Sequence, residues 1–131
     1  MRRVVVTGIG IVSPIGNDRH EVLESLRNGR SGIVFAEEYK ELGFRSQVHG
    51  SVKLNTDDLV DRKLKRFMGE GAAYNYIAME QAIADAGLEE RDVSDERTGL
   101  IFVFRVFDKL SYALVMRSTR PIYIGDVVQT P

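Results

Sequence analysis

The sequence predicts an α/β fold, and three segments lead to that prediction. Residues 4–6, Val-Val-Val, form a short β-branched run that ends at Gly8, which is the pattern of a strand buried on both faces. The alanine-rich segment 71–86 has apolar side chains at helical spacing, and Gly87 follows it as a helix stop. A second apolar run begins at residues 98–101. Strand, helix and strand in this order predict a parallel α/β unit.

A shorter helix is predicted after the first strand. Asp18 stands three residues before Glu21, which is the spacing of a capping box. Apolar residues then recur at helical intervals until Gly29, a residue that favours the left-handed end of a helix. We therefore expect a helix over residues 19–28.

The stretch between the two helices predicts little regular structure. Residues 30–55 combine several glycines with short apolar stretches, a pattern typical of loops. An edge strand is expected near residues 47–52. Thr56 is the expected cap of the acidic turn that contains Asp57 and Asp58.

Composition places the chain among ordinary globular proteins. It has 131 residues, which is the length of one domain, with 44% hydrophobic and 28% charged residues. The formal net charge of −1 predicts neither nucleic acid nor an anionic membrane as a partner, and no apolar run reaches the roughly 18 residues of a transmembrane helix. The absence of cysteine excludes disulfides, thiolate metal sites and a cysteine nucleophile, and it fits a cytoplasmic protein.

Four segments, taken in order, carry a resemblance to a known family. They are Val-Val-Thr-Gly-Ile-Gly-Ile-Val-Ser-Pro-Ile-Gly-Asn at 5–17, Leu-Arg-Asn-Gly-Arg-Ser-Gly-Ile at 26–33, Asp-Arg-Lys-Leu-Lys-Arg-Phe-Met at 61–68, and Met-Glu-Gln-Ala-Ile-Ala-Asp-Ala-Gly-Leu at 79–88. Together they resemble the amino-terminal part of a β-ketoacyl-acyl-carrier-protein synthase over residues 1–101. The third segment is most similar to the synthase I branch, which belongs to the thiolase superfamily.

The resemblance implies a partial thiolase-like fold, with a parallel or mixed sheet and helices, and a homodimer if the chain folds. It also implies fatty-acid biosynthesis by decarboxylative condensation, in which a cysteine holds the acyl chain and two histidines act on the malonyl donor. No cofactor or metal is implied. The chain has no cysteine, and His20 and His49 do not match the family's histidines. We therefore expect a fragment that is inactive by itself, and we assign no catalytic residue.

The resemblance ends at Ile101. Family members continue with a glycine-rich stretch, whereas this chain has Phe102, Phe104 and Phe107 within six positions. We therefore expect an amino-terminal part of a ketosynthase domain at 1–101 and an unmatched, β-rich tail at 102–131.

Two strand-like runs, 112–116 and 122–128, stand in this tail. They resemble either a strand pair of hot-dog-fold thioesterases and dehydratases or an unrelated β-hairpin, and the sequence leaves both open.

A cluster of cations is the candidate partner site. Arg62, Lys63, Lys65 and Arg66 follow one another closely, and at helical spacing Arg62 and Arg66 share a face. By the resemblance, Arg62, Lys63 and Arg66 correspond to the patch that docks the acyl carrier protein. The alternative is a solvated helix face whose charge is balanced by the three neighbouring aspartates.

The sequence also suggests functional interpretations other than a condensing-enzyme fragment. Glycines at 8, 10 and 16 invite a nucleotide-binding interpretation, but Gly-x-Gly-x-x-Gly needs glycine at 13, where Ser13 stands. A non-catalytic module for carrier-protein binding or oligomerisation is the second functional hypothesis. A thioesterase-like activity of the tail is the third.

Overall fold

The structure is a computed structural model that describes residues 3–95, 98–106, 111–117 and 127–129. Its elements, in chain order, are β1 (Arg3–Val5), α1 (Arg19–Arg27), β2 (Ile33–Phe35), α2 (Glu37–Glu41), β3 (Val48–Gly50), a 3-10 turn (Thr56–Asp58), α3 (Arg62–Lys65), α4 (Glu70–Asp85), α5 (Glu90–Val93), β4 (Leu100–Val106), β5 (Ser111–Arg117) and β6 (Val127–Gln129). The predicted α/β class is therefore confirmed. The chain divides into two compact units, one of Ile9–Ala82 and one of Met1–Gly8 with Ile83–Pro131.

Helix α1 begins and ends where local signals place it. The Asp18 side chain accepts hydrogen bonds from the backbone N–H groups of His20 and Glu21, at 2.7 and 2.9 Å. The Glu21 carboxylate accepts in turn from the backbone N–H of Asn17, at 2.8 Å, which secures the entry to the helix. Gly29 has a φ of 61°, the left-handed value that glycine adopts without strain, so the predicted helix over 19–28 is confirmed.

The apolar face of α1 is not covered. Leu23 and Leu26 are 46% and 65% exposed, and Ser25 is the buried residue of the helix. The Ser25 hydroxyl donates a hydrogen bond to the Ile15 carbonyl oxygen, at 2.6 Å. This helix is therefore attached through a polar contact, although its sequence pattern predicts an apolar one.

A glycine and a glutamine fasten the loop at residues 9–17 to α4. A Cβ placed on Gly10 would lie 1.7 Å from the Ala78 carbonyl oxygen, so the loop backbone approaches the helix as closely as a residue without a side chain allows. The Gln81 side chain accepts from the Ile11 N–H at 3.0 Å and donates to the Asn17 carbonyl at 2.6 Å. The loop is thus fixed at both ends by one side chain.

The core of this unit is small. Its buried centre consists of Val60, Ala73 and Ile77, on which partly buried residues pack from the loops and from α4 itself. The latter are Val12, Leu54, Met68 and Tyr76. Helix α4 therefore supplies two of these three buried residues, and its bounds agree with the expected 71–86 to within a residue.

Strands β2 and β3 form an antiparallel pair in which Val34 lies opposite His49. This confirms the edge strand expected near residues 47–52. The expected role of Thr56 is wrong. Asn55 caps the acidic turn instead, because its side-chain oxygen accepts from the Asp57 N–H at 3.2 Å, while Thr56 is buried and directs its hydroxyl elsewhere.

The second unit contains two separate strand pairs. Strand β1 pairs with β6 in parallel, and β4 pairs with β5 in antiparallel orientation. The predicted parallel unit joining residues 4–6 to residues 98–101 is not formed among the described residues. The predicted burial of these strands is also wrong, since Val5, Ile101 and Val103 are 47%, 42% and 45% exposed. A two-stranded sheet gives each strand one neighbour and cannot enclose both of its faces.

The tail contributes strands to both sheets. Strand β5 contains the predicted run at 112–116, and β6 overlaps the end of the run at 122–128. Residues 118–126 lie outside the described part of the chain. In their described parts, the two runs pair with β4 and with β1 rather than with each other. Strand β4 extends from Leu100 to Val106 across the predicted boundary at Ile101, and its pairing with β5 shifts register between Leu100 and Ile101 and between Val103 and Arg105.

No helix in the described part of the chain is long and apolar enough to cross a membrane.

Candidate functional site

The basic cluster, defined as Arg62, Lys63, Lys65 and Arg66, is built on helix α3. The Asp61 carboxylate caps the helix by accepting a hydrogen bond from the Lys63 N–H at 2.7 Å. Arg66 follows as the last, capping residue at the other end. A four-residue helix with an aspartate cap thus brings four cations together within five consecutive positions.

Three of the four cations are exposed. Arg62, Lys63 and Arg66 lie on the surface, and none of them forms an ion pair with any described residue. The Arg66 guanidinium lies 4.7 Å from the centre of the Phe67 ring, and that ring is 79% exposed. The three cations therefore present positive charge to solvent beside an uncovered aromatic side chain.

None of the three neighbouring aspartates forms an ion pair with Arg62, Lys63 or Arg66 in the described part of the chain. Asp58 accepts a hydrogen bond from the Asn55 side-chain amide at 2.7 Å, and Asp61 is occupied as the helix cap. Asp57 lies 4.0 Å from the Lys65 ammonium. The alternative of a solvated face whose charge these aspartates balance requires no direct ion pairs, and it stays beside the docking prediction.

Lys65 has a different environment. Its side chain is 14% exposed, and its ammonium donates to Glu70 Oε1 and to Thr56 Oγ1, both at 2.5 Å. The Thr56 hydroxyl donates to Glu70 Oε2 at 3.0 Å. The hydrogen bond that Lys65 donates lowers the pKa of Glu70 below its ordinary value, and the hydrogen bond from Thr56 lowers it further by a smaller amount. Sequence reasoning grouped Lys65 with the other cations and missed this contact.

An open depression of about 380 Å³ lies beside the cluster, lined by Asp57, Val60, Arg62 and Lys65. Its charged lining is mixed, because an aspartate faces an arginine and a lysine. With Lys65 already bound to Glu70, Arg62 is the cation that remains available to a ligand at this rim.

The other candidate residues from the sequence are the two histidines and the glycines of the loop at 9–17. His49 contacts Tyr39 edge-on, with 5.4 Å between ring centres, and His20 is exposed in the first turn of α1. Among the described residues, no group of three histidine, aspartate or glutamate side chains is placed to hold a metal ion. Gly16 packs against α1, since a Cβ there would lie 2.6 Å from the Val22 nitrogen, and it pairs with Ser13 in a tight turn. The glycines of this loop therefore serve close packing.

Comparison with known proteins adds the decisive observation. Residues 1–124 match the family described as the N-terminal domain of beta-ketoacyl synthase. The chain belongs to the β-ketoacyl synthase family. This confirms the resemblance stated from the four sequence segments.

Several curated relatives bear specific names. The chain is 57% identical over 102 residues to 3-oxoacyl-[acyl-carrier-protein] synthase 1 of Escherichia coli K12 and 54% identical over 101 residues to that of Haemophilus influenzae. It is 36% identical over 100 residues to 3-oxoacyl-[acyl-carrier-protein] synthase 2 of Vibrio cholerae. The greater similarity to the synthase 1 proteins agrees with the branch assigned from residues 61–68.

These matches cover 76–77% of this chain and 24–25% of each relative. The chain therefore spans about a quarter of the length of the curated relatives it matches. Pairwise similarity extends over 100–102 residues in these three relatives, whereas the family match continues to residue 124. The boundary at Ile101 stays a prediction.

Proposed function

We propose that this chain represents the amino-terminal part of a 3-oxoacyl-[acyl-carrier-protein] synthase of fatty-acid biosynthesis, in a partial thiolase-like fold. The 131 residues by themselves bind the acyl carrier protein and do not catalyse condensation. The observation that carries this proposal is the set of three exposed, unpaired cations on α3, in a chain that shares more than half of its aligned residues with synthases named for that carrier.

The electrostatics of α3 support docking of an acidic partner. Arg62, Lys63 and Arg66 form no ion pair with a described residue, so a partner carboxylate displaces water rather than an existing partner. Contacts between exposed charges act mainly on the association rate, and salt weakens them because screening acts over about 8 Å at physiological ionic strength. The proposed binding is therefore fast and salt-sensitive.

The absence of condensation follows from the chemistry of the reaction. The acyl chain must pass to a thiolate, which is a strong nucleophile and a good thioester partner, and the chain contains no cysteine. His20 and His49 cannot replace a decarboxylation pair, since one is exposed on α1 and the other contacts Tyr39 in the β2–β3 hairpin. No thioester intermediate on a cysteine can form in these 131 residues.

The experiment is a titration of labelled acyl carrier protein, followed by fluorescence anisotropy, with the native chain and with two variants. Arg62→Glu combined with Arg66→Glu weakens binding by about 10-fold or more, which corresponds to about 1.4 kcal/mol for the loss of two rim contacts. Arg27→Glu combined with Arg45→Glu makes the same charge change at two exposed arginines away from α3 and leaves the affinity within about two-fold of the native value. Equal affinities for the docking variant and the control would refute the proposal.

A homodimer is the second candidate, and uncovered apolar side chains favour it. Leu26, Phe35, Leu42 and Phe67 are 65%, 51%, 63% and 79% exposed. A contiguous exposed apolar patch is typical of a surface that another chain covers, and these four residues are the candidates for such a patch. An oligomerisation module is therefore compatible with carrier binding, and the two functions are separable because carrier binding depends on charge.

We also propose that residues 102–131 form a tail, outside the pairwise similarity to the synthase 1 relatives, that is joined to a ketosynthase part at 1–101. The similarity to the synthase 1 relatives, which extends over 101–102 residues, supports this boundary. The pairing of β6 with β1 gives the tail a structural role, because it adds a parallel neighbour to the first strand of the chain.

A further inference from the structure

Helix α3 is too short to hold its own position. It has four residues, none of them buried, and Leu64 is 43% exposed. Isolated helices of this length do not persist in water, because the free energy needed to nucleate a helix exceeds the free energy gained from one turn of hydrogen bonds. The orientation of α3, and hence of its cations, must come from contacts with the rest of the unit.

Two apolar residues flank the helix without fixing its rotation. Val60 precedes it and is 4% exposed in the core, and Met68 follows it and packs on that core. These contacts determine where the chain enters and leaves the segment. Both contacts lie outside α3, so a constraint on its rotation must come from the helix itself, where Lys65 is the residue that is not exposed.

The contact of Lys65 with Thr56 and Glu70 supplies that missing constraint. It joins three consecutive elements, because Thr56 lies in the 3-10 turn, Lys65 in α3 and Glu70 at the start of α4. All three pairs within the triangle are hydrogen-bonded, at 2.5, 2.5 and 3.0 Å. Lys65 is also the most enclosed cation of the basic cluster, with a side chain 14% exposed.

We propose that Lys65, Thr56 and Glu70 form a positioning device for partner docking, which turns α3 so that Arg62, Lys63 and Arg66 point towards the carrier protein. This inference rests on the proposed function of those three cations. In this device Lys65 is not a contact residue for the partner. Glu70 acts through Lys65, although its own charge has the same sign as the partner's surface.

The sign of the charge on Glu70 makes the proposal testable. If Glu70 were only a carboxylate near the docking face, its removal would strengthen binding of an acidic partner, because one repulsion would be lost. If it holds α3 in position, its removal weakens binding. The two interpretations predict opposite changes in affinity for a single substitution.

The experiment compares Glu70→Gln with the native chain in the same carrier-protein titration. We expect Glu70→Gln to weaken binding about five-fold, within the usual range of coupling between residues in one network. Glu38→Gln makes the same chemical change at an exposed carboxylate on α2 with no ion pair among the described residues, and we expect no change there. The exchanged pair Lys65→Glu with Glu70→Lys restores the contact and returns the affinity to within about two-fold of native.

Backbone hydrogen exchange provides a readout of position that does not depend on binding. The amides of Leu64, Lys65, Phe67 and Met68 bond to carbonyls within the segment at 2.9–3.0 Å. In Glu70→Gln we expect these four amides to exchange faster, while amides in the middle of α4 keep their native rates. Faster exchange throughout α4 would instead indicate loss of the fold. In that case the affinity of the exchanged-charge variant tests the device, because the device predicts an affinity within about two-fold of native.

The outcomes separate this inference from the proposed function. If the double arginine variant weakens binding while Glu70→Gln binds as well as native or better, the positioning device is refuted and docking stands. If the double arginine variant binds normally, the docking proposal fails and this inference fails with it. Failure of the exchanged-charge variant to restore affinity, where Glu70→Gln weakens it, would also refute the device.

Discussion

The substitution Gly10→Ala tests the contact between the loop at 9–17 and α4 most severely. The added Cβ would lie 1.7 Å from the Ala78 carbonyl oxygen, 2.6 Å from the Ala78 carbonyl carbon and 2.9 Å from the Ala82 nitrogen. All three atoms belong to the backbone of α4, so no side-chain rotation relieves the overlap. The loop must retreat by about 1.7 Å to reach an ordinary contact of about 3.4 Å.

The cost of that retreat follows from the bonds that hold the loop. Gln81 bonds the loop at 3.0 Å on one side and 2.6 Å on the other, and both lengths become too great for a hydrogen bond after such a displacement. Each lost bond costs about 0.5–1.5 kcal/mol, and overpacking costs about 1–3 kcal/mol. We therefore expect Gly10→Ala to lower the free energy of unfolding by about 2–6 kcal/mol.

Urea denaturation followed by circular dichroism at 222 nm measures this change. The matched control is Gly71→Ala in α4, where an added Cβ meets nothing within 4 Å. The same substitution there raises the free energy of unfolding by about 0.5–1 kcal/mol, because alanine is the better helix former. A Gly10→Ala variant as stable as the native chain would show that the loop does not lie against α4 as described.

Two further predictions concern acid and self-association. Hydrogen bonds from the Glu21 amide and from Lys65 lower the pKa values of Asp18 and Glu70, respectively, below their ordinary values of 3.8 and 4.5. Carboxyl groups with lowered pKa values stabilise the fold above their unfolded pKa values and lose that effect as the pH falls through the folded ones. We therefore expect the urea midpoint to stay constant from pH 7 to about pH 5 and to fall below about pH 4, with a smaller fall in Glu70→Gln. A midpoint unchanged to pH 3 would contradict this. For self-association, light scattering at two concentrations should give a dimer mass that Leu26→Glu reduces towards the monomer, and a monomer at both concentrations would exclude the homodimer.

Local sequence signals determined the helices well. Asp18, Glu21 and Gly29 all act within a few residues of α1, so their effect on its bounds is readable without knowledge of the rest of the chain. The length and alanine content of α4 likewise predict that helix directly. The bounds of these two helices depend on neighbours in sequence and were predicted, whereas the cap expected at Thr56 was also a local prediction and was wrong, because Asn55 takes that role.

Features that depend on distant residues were not predictable. Burial of β1 depends on how many strands cover it, and the three valines at 4–6 do not contain that information. The Gln81 side chain accepts a hydrogen bond from the backbone N–H of Ile11, 70 positions earlier, and no local pattern in the sequence indicates this contact. Strand pairing and loop anchoring are therefore known from the structure alone.

The candidate site also contains features that the sequence predicted and features that only the structure shows. The family resemblance assigned Arg62, Lys63 and Arg66 to the predicted docking patch, and the structure leaves all three exposed. Lys65 has the same charge and lies in the same segment, yet it turns inwards to Thr56 and Glu70. Composition cannot separate a cation that faces solvent from one that is bonded to a carboxylate five residues away.

The most direct test of the docking account is a two-dimensional 1H–15N spectrum of the labelled chain, recorded while unlabelled acyl carrier protein is added. The account predicts that the largest shift changes occur at residues 61–67, that they saturate with one carrier per chain, and that they diminish as salt is raised. Shift changes that are absent, or that concentrate on α1 or the β2–β3 hairpin while α3 is unaffected, would contradict it.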